Sequence, residues 1–267
     1  MRIAITHETR YAYDAPVRSS TQYLRLVPRD TTRQKVLEWK LDTPAPTVRT
    51  RDGYGNVLDV LTLEKPVSEI RIVANGEVET TAVVDEPADF PVQTLSPLLF
   101  LRATGLTRPD PPVAALAEGF RSNACTRDGL RDLAEAIRQR VQPKVGATSF
   151  YPCAADVLAA GSGLPQDLVH VFIACCHHLG VPARYACGYV YLPERAGEAS
   201  LGHSWAEAWV NERWRSFDLA LGGYIDERHV KVAMGADHLD ACPIRGTRIG
   251  GGEESMTVKS QLRQRQS

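Results

Sequence analysis

Apolar and polar residues alternate with a period of two through most of the first ninety positions. The stretches RIAITHETRYAY, TQYLRLVP, VLEWKLDT, NVLDVLTLE and SEIRIVANGEVETTAVV are rich in β-branched and aromatic residues and predict short strands. RDGYGN at 51–56 and ANGE at 74–77 read as hairpin turns between them, because Asn-Gly and Asp-Gly tolerate the positive φ that tight turns require. This half is expected to be an antiparallel sheet or sandwich. Past the proline-marked connector DEPADFPVQTLSP the period changes to 3.6. In RDGLRDLAEAIRQRV, Leu130, Leu133, Ala134, Ile137 and Val141 line one face, which predicts an amphipathic helix lying on a core. PQDLVHVFIACCHHLG is apolar nearly all round. It reads as the central buried helix, stopped by Gly180 and Pro182.

Three strands are predicted next: ARYACGYVYL, HSWAEAWVN and RWRSFDLAL. The second places His203, Trp205, Glu207 and Trp209 on one face and Ser204, Ala206, Ala208 and Val210 on the other. NERW supplies a tight connection, so the second and third strands form a hairpin. A simple register through a 211–213 turn sets His203 opposite residue 221. A late strand, SMTVKSQL, follows the glycine run 250–252, and no internal repeat interrupts the pattern.

Composition narrows the class. A chain of 267 residues makes one large or two modest domains, and such a chain buries about three quarters of its extended surface without staples. The six cysteines follow no even framework, and MRIAITHETRYAYDAPV has neither an apolar signal core nor a cleavage site, so a reducing cytoplasm is expected. No apolar run reaches the roughly 18 residues that span a bilayer, and 31 basic residues balance 32 acidic ones. Neither membrane nor nucleic acid is an expected partner.

The chemistry-bearing residues form a pattern of their own. A helix N-terminus at Pro165, a histidine at a strand start, His203, and an acid on the next strand, Asp218, are the parts of a cysteine–histidine–aspartate machine. In such a machine the helix end lowers the thiol pKa, the histidine transfers the proton and the acid orients the imidazole. With these residues in place the chain resembles the bacterial transglutaminase-like family, whose fold is similar to papain-type cysteine proteases. The resemblance runs through YAYDAPVRSSTQYLRLVPR and DGYGN, AADVLAAGSGLPQDLVHVFIACCHHLGVPARYACGYV, GHSWAEAWV, WRSFDLA and DERHVKVAMGADHLDACPIRGTRIGGGEE. It implies an α+β fold: a β-rich companion domain over 1–90, then a papain-like core over 91–267 with a central helix packed on an antiparallel sheet and a C-terminal strand. It also implies the His203–Asp218 contact, which the simple register leaves about three residues short.

The family pattern at the helix start is G-x-C-Q-D-x-x-H. Here it reads Gly163-Leu164-Pro165-Gln166-Asp167-Leu168-Val169-His170, with proline at the nucleophile's position. Proline suits the first helical turn, yet it supplies neither a nucleophile nor a backbone N–H for an oxyanion. Cys175 and Cys176 lie roughly 15 Å farther along the helix and read as packing residues. Cys153 and Ser162 are weak candidates for a substitute nucleophile. CCHH at 175–178 does not make a zinc site, since consecutive helical residues point about 100° apart, and no metal or cofactor is expected. His170 reads as a core histidine, Asp167 as a helix-start acid, Gln166 as a cleft-facing residue, and Trp205 as core or as a binding platform. The sequence therefore predicts a pseudoenzyme that binds a peptide, amide-bearing ligand or protein through the ancestral cleft. The rivals are a hydrolase or amide-transferring enzyme using another nucleophile or His203–Asp218 acid–base chemistry, and a structural subunit with a vestigial cleft.

Overall fold

In a computed structural model, residues 1–82, 95–144, 151–195 and 202–265 are described. The connector read at 85–97 lies almost entirely outside them. The first sheet is built on one long strand, β1 (Arg2–Leu24), where two separate strands were expected from the pattern. β1 continues through Asp14–Pro16 because a register shift between Ala12 and Val17 absorbs the irregular residues. Around it lie β2 (Gln34–Asp42), β3 (Thr47–Arg51), β4 (Val57–Leu63) and β5 (Val67–Thr80), in the order β2-β5-β1-β4-β3. RDGYGN is the expected turn, joining β3 to β4 with Gly55 at φ 80°.

ANGE is not a turn. It lies inside β5, paired with β1 on one side and β2 on the other. Gly76 is required there for a different reason: a Cβ would stand 2.2 Å from the Glu38 carbonyl oxygen and 2.5 Å from the Trp39 ring.

The helical layer comprises α1 (Pro111–Glu118), α2 (Arg127–Arg140), α3 (Ala154–Ala160) and α4 (Pro165–His178). The two-residue strands β6 (Gln142–Pro143) and β7 (Ser162–Gly163) pair in parallel and pin the chain entering α4 to the end of α2. α1, α2 and α3 all pack on α4, which is buried from Asp167 to Cys176, so it is the central helix its composition predicts. One side of the second sheet covers it. That sheet contains β8 (Ala183–Val190), β9 (His203–Val210), β10 (Arg213–Phe217) and β11 (His229–Gly235), all antiparallel in the order β10-β9-β8-β11. Ala206, Ala208 and Val210 of β9 join the α4 core, and small residues on this face let helix and sheet approach closely.

The C-terminal elements depart from the expected domain division. After the short α5 (His238–Ala241), β12 (Ile244–Gly250) and β13 (Glu254–Arg265) pair with β1. Residues 244–265 therefore complete the N-terminal sheet rather than the helical core. The two sheets are joined by an apolar seam of Ile3, Ile5 and Val78 against Tyr189, Val230 and Val232. Two amide side chains cap the open edge of β11. Gln34 bonds both N–H and C=O of Lys231 (2.8 and 2.7 Å), and Asn56 does the same at Met234 (2.9 and 2.7 Å). An edge that would otherwise invite strand pairing is thereby closed by side chains from the other sheet.

Candidate functional site

The N-terminus of α4 and the start of β9 lie at the same end of the core. Ala183 pairs with Ala208 and Gly188 with His203, while the chain leaving α4 bonds β9 near its far end, from Trp209 N–H to the Pro182 carbonyl at 2.8 Å. α4 is 14 residues, about 21 Å at 1.5 Å per residue, so its start lies back toward His203. Pro165 is exposed at this helix start and Gln166 half-buried. Asp167 holds the turn: its Oδ2 accepts the Leu164 N–H at 2.8 Å. Burial pushes the Asp167 carboxyl pKa upward against that bond and the positive charge of Lys144.

The β9–β10 hairpin is tighter than a 211–213 turn. Asn211 and Glu212 both adopt positive φ, 51° and 60°, and Val210 pairs with Arg213, which sets His203 opposite residue 220. β10 stops at Phe217, and Asp218 turns from the strand end toward the histidine. His203 Nε2 lies 2.6 Å from Asp218 Oδ2. The contact that the resemblance implies is therefore present. It is made by departure from the ladder, since Asp218 Oδ1 accepts N–H bonds from Ala220 and Leu221 (both 2.9 Å) in the loop beyond.

A third residue joins them that the sequence reading did not single out. His229, the first residue of β11, places its Nε2 3.1 Å from the same Asp218 Oδ2, and its Nδ1 3.1 Å from Asp226 Oδ1. β10 and β11 occupy opposite edges of a four-stranded sheet, which laid flat would separate them by about 14 Å at 4.7–4.9 Å per strand. The sheet must therefore curl until its edges meet at this end. Gly188 permits part of that curl, because a Cβ there would stand 1.9 Å from the Val230 carbonyl oxygen. The signal was DERH at 226–229, two acids and a histidine at a strand start, but only the curl gives it meaning.

Burial opposes the charge on Asp218, yet hydrogen bonds from His203 and His229 outweigh it and hold the carboxyl well below its usual range. For His229, burial lowers the pKa, and the bonds to Asp218 and Asp226 more than reverse the effect. The inner face of the curled sheet continues as an ionic core. Buried Glu207 accepts from Arg184 (Nε 2.7 Å, Nη2 2.6 Å) and from Lys231 Nζ (2.9 Å), and Trp205 Nε1 donates to it at 3.3 Å. The Arg184 guanidinium stacks 3.8 Å from the Trp214 ring centre. Trp205 is completely buried, so it is a wall of this core and not a platform that a ligand can touch. His170 is buried as expected, its Nε2 accepting the His238 N–H at 3.1 Å.

The remaining candidates are engaged elsewhere. Cys175 and Cys176 are buried in the helical core, and burial pushes the Cys175 thiol up to about 12. His177 Nε2 meets the Phe100 carbonyl at 2.9 Å and His178 Nε2 meets Glu118 at 2.7 Å, so the CCHH residues diverge. The Cys153 thiol donates to Asp156 Oδ2 at 3.0 Å, and Ser162 Oγ bonds the Ala160 carbonyl at 3.4 Å.

Comparison with known proteins agrees with this architecture. Residues 3–79 match the bacterial transglutaminase-like N-terminal region, and residues 114–219 match the transglutaminase-like superfamily. An uncharacterised protein of Mycobacterium leprae is 27% identical, covering 96% of both chains. An uncharacterised protein of Mycobacterium tuberculosis is 29% identical, covering 96% of this chain and 90% of that one. Among solved structures, a proposed cysteine protease from Cytophaga hutchinsonii superposes with a TM-score of 0.78 at 21% identity, over 98% of this chain and 90% of that one.

Proposed function

The chain belongs to the transglutaminase-like superfamily, and from that premise we propose that it is a pseudoenzyme, a thiol-enzyme fold without its thiol that binds a peptide, amide-bearing ligand or protein partner at the ancestral cleft. The observation that carries this reading is Pro165 at the first position of α4, where the family pattern has its nucleophile, at the same end of the core as the bonded His203–Asp218 pair. Proline fits that helical position without strain and removes both the nucleophile and the N–H that could stabilise an oxyanion. The cysteines nearest to it in the sequence do not replace it. Cys175 and Cys176 are buried with raised pKa values, which suppresses the reactive thiolate, and the Cys153 thiol is held by Asp156. Gln166 and the exposed face of Pro165 form the ligand side of the cleft. All six cysteines are free thiols, which fits a reducing cytoplasm.

The test is intact-mass spectrometry of the native protein after exposure to iodoacetamide or an activated amide. The expected result is slow labelling of accessible cysteines, unchanged in a His203→Ala variant. Rapid stoichiometric labelling of one cysteine that His203→Ala abolishes would refute the reading. One observation favours a rival, the short His203–Asp218 bond, which is the arrangement an acid–base catalyst needs. Amide turnover that survives replacement of every cysteine and disappears in His203→Ala would establish that rival.

A further inference from the structure

We propose that His203, Asp218 and His229 form a binding site for a divalent transition metal of the zinc type, with two imidazole nitrogens and one carboxylate oxygen as ligands. His203 Nε2, His229 Nε2 and Asp218 Oδ2 lie within 4.8 Å of one another. They come from three separate segments, the start of β9, the residue after β10 and the start of β11, and the curl of the sheet aims them at one point.

Each of two ligands is held from behind. Asp218 presents Oδ2 because Oδ1 is fixed by the N–H groups of Ala220 and Leu221. His229 Nδ1 is held at Asp226, 3.1 Å from both its backbone nitrogen and its Oδ1; with Nε2 on the ion the ring proton sits on Nδ1 and is donated to Oδ1, which Arg228 in turn orients through Nε at 3.1 Å. A carboxylate behind a histidine is the usual outer shell of a metal site, since it sets the tautomer and strengthens the ligand. Bonds of about 2.0–2.2 Å in a tetrahedral site hold ligand atoms about 3.3 Å apart. The two contacts to Asp218 Oδ2, 2.6 and 3.1 Å, need to widen by a few tenths of an ångström to several tenths, and the two imidazole nitrogens, within 4.8 Å of each other, close by up to about 1.5 Å through rotation of the less buried His203 side chain. The ion replaces the protons now shared between the carboxylate and the imidazoles. Asp218 neutralises one of its two positive charges, and Asp226, which Arg228 also pairs with, offsets the other only in part. Asp218 and His229 are almost fully enclosed, whereas the His203 side chain keeps 8% exposure, so an ion enters from the His203 side and retains water as its fourth ligand.

This site goes beyond the pseudoenzyme reading and does not depend on it, since the unaltered protein tests it without any peptide or electrophile. The full chain, stripped of metal by a chelator and dialysed, is titrated with Co²⁺ while visible absorption is followed, and bound Co²⁺ is then displaced with Zn²⁺. The expected result is one ion per chain with a tetrahedral cobalt spectrum, an affinity at least about 100-fold weaker in His203→Ala and in His229→Gln, and a loss of about 10–100-fold in Asp226→Asn. His178→Ala, which removes a surface histidine paired with Glu118, leaves the titration unchanged. Absence of stoichiometric binding, or binding that survives His203→Ala, overturns the proposal. So does binding abolished by His178→Ala. His203 is the least buried of the three ligands, so its variant decides the matter even where His229→Gln does not fold.

Discussion

Glu207 shows how strongly single residues are committed in this core. Its carboxylate is contacted by Arg184, Lys231 and Trp205, and both ionic partners are buried. A buried ion pair adds little net stability while complete, but removing one partner strands the rest, at about 3–5 kcal/mol. Glu207→Ala should lower the urea-unfolding free energy by that amount, and a change below about 1 kcal/mol would mean that water reaches the network. His170 makes a second residue-scale prediction. Burial, with the nearby His238 charge, lowers its pKa to about 3, and burial alone lowers that of His7 to about 4. Between these values and the unfolded value of about 6.5, the unfolded chain binds protons that the native chain refuses, so stability falls as pH drops through that window. At pH 4.5, His170 alone should contribute a loss on the order of 2 kcal/mol. Denaturant unfolding of His170→Gln between pH 7 and 4.5 should show a shallower decline than the native protein; equal slopes would contradict the assignment.

Elements with their own periodicity were legible in the sequence, and those decided by neighbours were not. α2 and α4 occur where the 3.6-residue pattern and the all-round apolar composition predict them, and the β9 faces divide as the alternation requires. β5 illustrates the opposite case. Asn75-Gly76 is locally a turn signal, but the strand is sandwiched between β1 and β2, and the ladder on both sides overrides two residues of turn preference. Gly76→Ala tests this at the element scale. In the strand, the new Cβ meets the Glu38 carbonyl at 2.2 Å and should destabilise the protein by about 1–3 kcal/mol in thermal or urea unfolding. A neutral effect would indicate that β2 and β5 separate easily here. β11 and β3 carried too little pattern to be read, the first because its edge is closed by Gln34 and Asn56, far away in sequence.

The candidate site exists only at the scale of the whole molecule. Pro165, His203 and Asp218 were visible as positions, because each sits at an element boundary with a recognisable motif. The resemblance implied the His203–Asp218 contact, but the strand register did not, since the contact requires a two-residue hairpin and a strand that ends before Asp218, and nothing in the sequence brought in His229, which needs a sheet whose edges converge. The same long-range construction makes β1 the partner of the C-terminal strands, so the chain's two ends stabilise one sheet. Under the proposed function, this assembly preserves a thiol-enzyme geometry from which one side chain has been removed. Pro165→Cys tests that claim most directly, because other residues also occupy the first helical turn and the regained N–H returns with the thiol. The measurement is the rate of iodoacetamide labelling at residue 165 against pH, in metal-stripped protein with and without His203→Ala. The predicted result is a thiol that titrates below the free value of about 8.5, reacts faster than the native cysteines at neutral pH and loses that advantage in the double variant. A folded Pro165→Cys protein whose new thiol reacts no faster than a free cysteine, with a pH profile indifferent to His203, would contradict the account.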